Sequence, residues 1–173
     1  VFLMPAATHV EKSGTFTQTQ RMVQWRFQAV PPPGQARSEA WFFYQLGKKL
    51  KERLRDSTDP RDLPLQNVTW DYAENEEGEP NSEDVLKEIN GYYLEGPKKG
   101  ELLPAFVEMK NDGSTSGGCW IYTGVFKDGI NQSARKVPGS EQNEVAPEWG
   151  WVWPANRRLL YNRASAKPDG TPW

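Results

Sequence analysis

Fifteen glycines and fourteen prolines interrupt this chain of 173 residues, and that density of backbone punctuation constrains it more than any other feature. Few intervals between the interruptions suit a long helix or a central strand, so the sequence predicts a loop-rich chain. Only 36% of the residues are hydrophobic, yet eight Trp, seven Phe and six Tyr supply large apolar surfaces that a disordered tail lacks. Loops this extensive usually serve function or pack against something larger. Val1-Phe2-Leu3-Met4-Pro5 reads as the end of a buried strand, as if the sequence started within a domain.

Twenty-one basic and 23 acidic residues are spread along the chain for a net charge of -2, which argues against a nucleic-acid partner. Cys119 is the single cysteine, so no internal disulfide forms, and no Cys/His cluster has the spacing of a zinc or iron-sulfur site. The sequence contains neither a membrane-length apolar run nor a charged start followed by an apolar stretch.

Residues 6–14 carry His9, Glu11 and Lys12 and end in glycine, as a surface or cleft loop does. Extended segments are predicted over Thr15–Thr17 and Met22–Val30, stopped by Pro31-Pro32-Pro33-Gly34. Ser38 is positioned to cap a helix running to about Arg55, with Phe43, Leu46, Leu50 and Leu54 on one face. Residues 56–81 hold three prolines and the acidic run Glu74-Asn75-Glu76-Glu77, which predicts a solvated connection with at most one short strand near Val68-Thr69-Trp70. Asn81 or Ser82 caps a shorter helix that places Val85, Leu86 and Ile89 on one face and closes at Gly91. Cys119-Trp120-Ile121-Tyr122-Thr123 reads as a buried strand, and the remainder as loop with alternating Trp149, Trp151 and Trp153. The fold class expected is therefore mixed α/β and loop-rich.

Three stretches together resemble the large catalytic subunits of respiratory formate dehydrogenases in the molybdopterin oxidoreductase superfamily. The first is Phe2 to Thr17, with Pro5-Ala6-Ala7-Thr8-His9-Val10-Glu11-Lys12-Ser13-Gly14-Thr15-Phe16-Thr17, continued by Arg21, Val23-Gln24-Trp25-Arg26 and Pro32-Pro33-Gly34. The second is Gly118-Cys119-Trp120-Ile121-Tyr122-Thr123-Gly124, followed by Asn131-Gln132. The third is Trp153-Pro154-Ala155-Asn156-Arg157-Arg158-Leu159-Leu160-Tyr161-Asn162-Arg163-Ala164-Ser165. The first is shared with relatives such as nitrate reductases, and the other two are more particular to formate dehydrogenases. One departure is Gln18, where relatives usually carry Asn after the threonine.

The resemblance implies an internal fragment of a larger subunit that oxidises formate to carbon dioxide. Residues 1–56 would be the end of an α/β domain and residues 57–173 a family-specific region before the final cofactor-binding domain. The parent subunit would hold a bis-molybdopterin guanine dinucleotide with molybdenum or tungsten and a four-iron (4Fe-4S) cluster, with a Cys or selenocysteine beside a His at the metal. None of those metal-ligand signatures lies in this chain, so the fragment alone is expected to be inactive and metal-free. The implied partners are the rest of the catalytic subunit, an iron-sulfur electron-transfer subunit and a membrane cytochrome b subunit, in the periplasm and without direct membrane insertion.

A bis-dinucleotide cofactor presents pyrophosphates, guanines and pterin edges, which call for bidentate Arg, short hydroxyl and amide side chains, and backbone N–H groups near glycine. Gly14, Thr15, Thr17, Gln18, Thr19 and Arg21 form such a set, although a polar hairpin turn would use the same residue types. Arg157, Arg158, Asn162 and Arg163, beside Trp153 and Tyr161, can clamp phosphate, stack on guanine or pair with carboxylates. The tryptophan alternation fits an extended arm burying one face against a partner, or ordinary core packing. His9 and Glu11 share a side of an extended segment, but structural hydrogen bonding suits them better than acid-base work, so no catalytic residue is assigned. Cys119 reads as a small buried hydrophobe, and the sequons Asn67-Val68-Thr69 and Asn131-Gln132-Ser133 carry no weight. The rival readings are another superfamily member such as a nitrate reductase, and a docking segment without cofactor contact.

Overall fold

The computed structural model describes residues 1–18, 21–138, 141 and 148–156. The chain is mixed helix and strand, with small sheets and much loop, as its punctuation predicts. It divides into two compact units, one formed by Val1–Ser13 and Phe27–Val85, the other by Gly14–Arg26 and the chain from Leu86 on.

In the first unit the principal element is α1, Glu39–Leu54. Ser38 caps it as expected, its hydroxyl accepting from the Trp41 N–H at 2.9 Å. Glu39 lies in the first turn and Lys51 and Arg53 in the last, matching the helix dipole. The face shared by the apolar residues is not the buried one. Phe43, Leu46 and Leu50 are 63%, 42% and 37% exposed, while Tyr44 and Gly47 are buried. The reason is that the polar and aromatic side of the helix is bonded to the segment from Val68 to Glu79. Trp41 Nε1 donates to the Glu77 carbonyl and Gln45 Nε2 to the Gly78 carbonyl, each at 2.8 Å. Tyr44 and Lys48 both reach Glu74 at 2.7 Å. Ser38 also bonds Glu79, and Lys51 the Val68 carbonyl.

After α1, the short helix α2, Leu63–Gln66, carries Pro64 in its first turn. Gln66 Nε2 ties it back to the Leu54 and Ser57 carbonyls at 2.7 and 2.9 Å. Val68–Trp70 forms no strand, because the Val68 carbonyl is taken by Lys51 and the Trp70 ring lies over Gly47. Val1–Pro5 is likewise no strand but an exposed segment. Pairing in that region is confined to the bridge between Ala6 and Arg37.

Helix α3, Ser82–Asn90, starts in the first unit and ends in the second. Asn81 Oδ1 accepts from the Glu83 and Asp84 N–H groups at 2.9 and 3.2 Å, and Gly91 ends the helix at φ +97°.

In the second unit β1 (Gly14–Thr17), β2 (Met22–Arg26) and β5 (Trp151–Val152) form an antiparallel sheet in the order β1-β2-β5. The extended segment predicted to Val30 thus ends at Arg26. Phe16 pairs with Gln24, Thr17 with Val23, and Val23 in turn with Trp151. Val23, Trp25, Leu86, Val125, Phe126 and Trp151 make the buried core. β3 (Phe126–Lys127) and β4 (Ile130–Asn131) form a hairpin through Asp128 and Gly129, both at positive φ, the conformation that Asp-Gly turns favour.

The strand expected over Cys119–Thr123 is instead a 3₁₀ turn at Trp120–Tyr122, with Trp120 52% exposed. At Gly91, Gly117 and Gly118 the chain runs too close to its neighbours for a side chain. A Cβ on Gly91 would stand 2.1 Å from the Ser116 carbonyl oxygen, and one on Gly118 would stand 3.1 Å from Ile89 Cα. Coming off that contact, the chain turns, closed by Tyr122 N–H to the Cys119 carbonyl at 3.0 Å.

Candidate functional site

The hydroxyl, amide and guanidinium residues of the first stretch lie on the β1-β2 hairpin. Gly14, Thr15 and Thr17 are on β1, opposite Arg26, Trp25 and Val23. At the hairpin end the Gln18 N–H donates to the Met22 carbonyl at 2.8 Å and the Arg21 N–H to the Gln18 carbonyl at 2.9 Å. Arg21 adopts φ +70°, a left-handed conformation that costs about 1 kcal/mol for a non-glycine residue. Thr19 lies outside the described residues, as do Arg157, Arg158, Asn162 and Arg163. The described backbone of this segment is an antiparallel pair, in which Thr15 and Thr17 are exposed.

Parts of the three stretches meet at this hairpin end. The Thr17 hydroxyl lies 3.4 Å from the Tyr122 hydroxyl, which belongs to the second stretch. The Tyr122 ring stands 5.9 Å from the Trp153 ring, which opens the third. The Trp153 N–H donates to the Arg21 carbonyl at 3.2 Å, and Asn156 Oδ1 accepts from the Val152 N–H at 3.0 Å. Segments more than a hundred residues apart in sequence thus converge at one end of the sheet. Gln18 Nε2 also donates to Gln24 Oε1 at 2.7 Å. An asparagine here, one methylene shorter, would give up that bond, so the departure at this position is matched by a partner on β2.

This arrangement is held from behind by a residue the sequence patterns do not single out. Asn90 is fully buried at the end of α3. Its Nδ2 donates to the Leu103 carbonyl at 2.9 Å, and its Oδ1 accepts from the N–H groups of Gly124 and Phe126 at 2.8 and 3.1 Å. It fixes the end of the second stretch. The local signal for it is only an Asn before a helix-ending Gly, which also fits an ordinary C-cap.

The alternation of Trp149, Trp151 and Trp153 does not survive as a one-sided stripe. Trp151 is 1% exposed in the core and Trp149 40% exposed, because Gly150 turns the chain at φ +68°. A Cβ on Gly150 would lie 2.8 Å from the Val23 carbonyl oxygen, so glycine lets the strand approach β2. Lys136 lies 5.0 Å over the Trp149 ring and Arg26 5.7 Å over Phe16. Burial, and then the Arg26 charge, hold the Lys136 ammonium below its ordinary pKa. Arg135 is engaged within the fold, bonding Glu148 at 2.7 Å and the Gly150 carbonyl at 2.9 Å.

Glu11 and Asn131 are bonded within local turns. Glu11 Oε2 accepts from the Thr8 N–H at 2.8 Å while its own N–H donates to the Thr8 carbonyl, closing a turn around His9. Asn131 is buried and bonded to Ser133 at 2.6 Å, which leaves that sequon inaccessible. Cys119 is partly buried. Among the described residues no group of three or more His, Cys, Asp or Glu is placed to hold a metal, and no helix is long and apolar enough to cross a membrane.

The hairpin end thus brings hydroxyl, amide and guanidinium side chains together, residue types suited to binding a polar ligand. Comparison with known proteins gives it a context. Residues 2–49 match the family model described as molybdopterin oxidoreductase. The whole chain aligns at 36% identity with the major subunit of nitrate-inducible formate dehydrogenase from Escherichia coli. It aligns at 38% with the alpha subunit of formate dehydrogenase 2 (cytochrome c-553) from Nitratidesulfovibrio vulgaris, and at 34% with the formate dehydrogenase-O major subunit of Escherichia coli. Each alignment covers 100% of this chain, which spans 18% of the length of each of these relatives.

Proposed function

The chain belongs to the molybdopterin oxidoreductase family, and from that premise we propose that it forms part of the catalytic subunit of a formate dehydrogenase, with the hairpin end lining the enclosure of the pterin cofactor. The observation that carries the reading is alignment along the full chain with formate dehydrogenase subunits. The convergence of Thr17, Arg21, Tyr122 and Trp153 supports the placement of the site.

The donor chemistry fits a pterin dinucleotide, since Thr15, Thr17, Gln18 and Arg21 supply hydroxyl, amide and guanidinium groups to ring edges and pyrophosphate. When bound, that cofactor supplies the two-electron oxidation of formate. The chain's own part is to orient and shield: the Gln18–Gln24 bond fixes the hairpin end, and Tyr122 and Trp153 wall one side. Arg157, Arg158, Asn162 and Arg163 are further candidate cofactor-binding residues in this reading. A bis-guanine dinucleotide with molybdenum or tungsten, a 4Fe-4S cluster elsewhere in the subunit, an iron-sulfur partner with a membrane cytochrome b, and a periplasmic location complete it. Residues 1–56 would then finish an α/β domain and residues 57–173 form a family-specific addition.

The test is Arg21→Ala in the complete subunit. Pterin occupancy should fall several-fold while secondary structure by circular dichroism is unchanged. Unaltered occupancy, or a structure of the loaded subunit with every atom of residues 14–21 farther than about 8 Å from the pterin, beyond a water-bridged contact, would make this a hairpin of purely structural use.

A further inference from the structure

We propose that Arg26 and Lys136, each lying over an aromatic ring, form a binding site for a single phosphate group, at the end of β2 remote from the Gln18–Met22 turn. The proposal draws on the second unit alone and does not depend on the formate dehydrogenase reading.

Sheet register brings the two cations to one place. β5 runs antiparallel to β2 with Trp151 beside Val23, so Trp149 lies toward the Arg26 end of β2, and Lys136 bridges to Trp149. The strand from Met22 to Arg26 separates that end from the turn by about 13 Å at the rise of an extended chain. The Lys136 ammonium stands 5.0 Å from the Trp149 ring centroid and the Arg26 guanidinium 5.7 Å from that of Phe16, and both rings are 40% exposed. Contacts of this kind hold a cation in place while its N–H groups stay available. Burial, and then the Arg26 charge, lower the Lys136 pKa, so the two cations act on each other.

Charge selects the ligand. Neither cation has a carboxylate partner among the described residues. Glu148, beside Trp149 in sequence, is already engaged: Arg135 bonds it at 2.7 Å and also holds the Gly150 and Gln132 carbonyls at 2.9 and 3.1 Å. Two like charges without a counter-charge are relieved by an anion between them. A phosphate dianion neutralises both and offers several acceptor oxygens to the guanidinium fork and the ammonium together, whereas a carboxylate neutralises one. A polyanion matches the site less well. With Arg135 engaged internally the site presents a pair of charges and not a track, on a chain whose net charge is -2.

Calorimetric titration of the 173-residue chain with inorganic phosphate, a nucleoside monophosphate and acetate tests this. Phosphate should saturate a single site, about tenfold tighter than acetate, and Arg26→Ala and Lys136→Ala should each weaken it about tenfold. Arg26→Lys should recover little, since an ammonium lacks the fork. Circular dichroism of the alanine variants should match that of the parent, which separates loss of the site from loss of the fold. Nitrogen-15 NMR should show the Lys136 pKa rising when phosphate binds, as the dianion offsets the Arg26 charge. Equal affinity for the two phosphates marks free phosphate as the ligand, and tighter binding of the nucleoside monophosphate marks the phosphate of a nucleotide. The absence of saturable binding, equal affinity for acetate, or full affinity in the variant carrying both Arg26→Ala and Lys136→Ala overturns the proposal.

Discussion

Asn90 shows how much one side chain can determine here. It is fully buried, with its amide donating to the Leu103 carbonyl and its oxygen accepting from Gly124 and Phe126. Each buried partner left unsatisfied costs about 1–3 kcal/mol, so Asn90→Ala should destabilise the second unit by about 3 kcal/mol or more, measured by urea unfolding. Asn90→Asp keeps the acceptor but sets a carboxylate against the Leu103 carbonyl. Burial and that lone pair raise the carboxyl pKa above its unfolded value, so the variant should be most stable in acid and weaken as pH rises through the raised value.

A second residue-scale prediction concerns Tyr44. Burial and then the Glu74 carboxylate push its phenol up to about 12, while Lys48 and then Tyr44 hold Glu74 below the usual carboxylate range. The phenol's contribution is present below its ordinary value near 10 and is lost as pH rises toward 12. That of Glu74 is present above the ordinary carboxylate range and is lost as pH falls through its lowered value. Ultraviolet titration should show a late component near 12 from Tyr44, beside the smaller upward displacement that burial and Glu108 give Tyr93, and Tyr44→Phe should remove the component near 12.

At the scale of elements, Gly47 lies mid-helix where alanine would ordinarily gain about 1 kcal/mol in propensity. The Trp70 ring reverses that expectation, since an added methyl would lie 1.9 Å from Cζ3. Gly47→Ala should therefore lower the thermal midpoint, with an overpacking cost of about 1–3 kcal/mol, whereas Leu46→Ala on the exposed stripe should change stability by less than about 0.5 kcal/mol. The same helix shows what is legible in sequence. Its cap, its end and its length follow from local chemistry, as do the cap of α3 and the stop at Gly91. Which face turns inward does not, because periodicity identifies an apolar stripe without saying where the covering chain lies. The 3₁₀ turn at Trp120–Tyr122 was hidden for a related reason: an apolar run reads as a strand unless the backbone contact of Gly118 with Ile89 is known. The Asp128-Gly129 hairpin, by contrast, carries an ordinary turn signal within a region otherwise read as loop. Of the candidate site, the residue types at 14–21 were readable, but their meeting with Tyr122 and Trp153 depends on pairings between distant segments that local pattern does not encode.

For the molecule as a whole, the distribution of apolar burial decides how stability is shared. The second unit encloses Val23, Trp25, Val125, Phe126 and Trp151 with little or no exposure, and fully burying a side chain of this kind contributes about 1.5–3 kcal/mol. The first unit buries Tyr44 and two alanines, and its principal helix is held largely by hydrogen bonds and ion pairs near the surface. Such pairs contribute about 0–1 kcal/mol each, and a 16-residue helix is marginal without tertiary packing. Hydrogen exchange should therefore separate the two in the 173-residue chain. The β2 amides and the Gly124 and Phe126 amides that Asn90 accepts should exchange slowest, near the global unfolding rate, and the α1 amides at least tenfold faster through local opening. If the α1 amides proved as protected as those of β2, the first unit would derive stability from a source other than the contacts described.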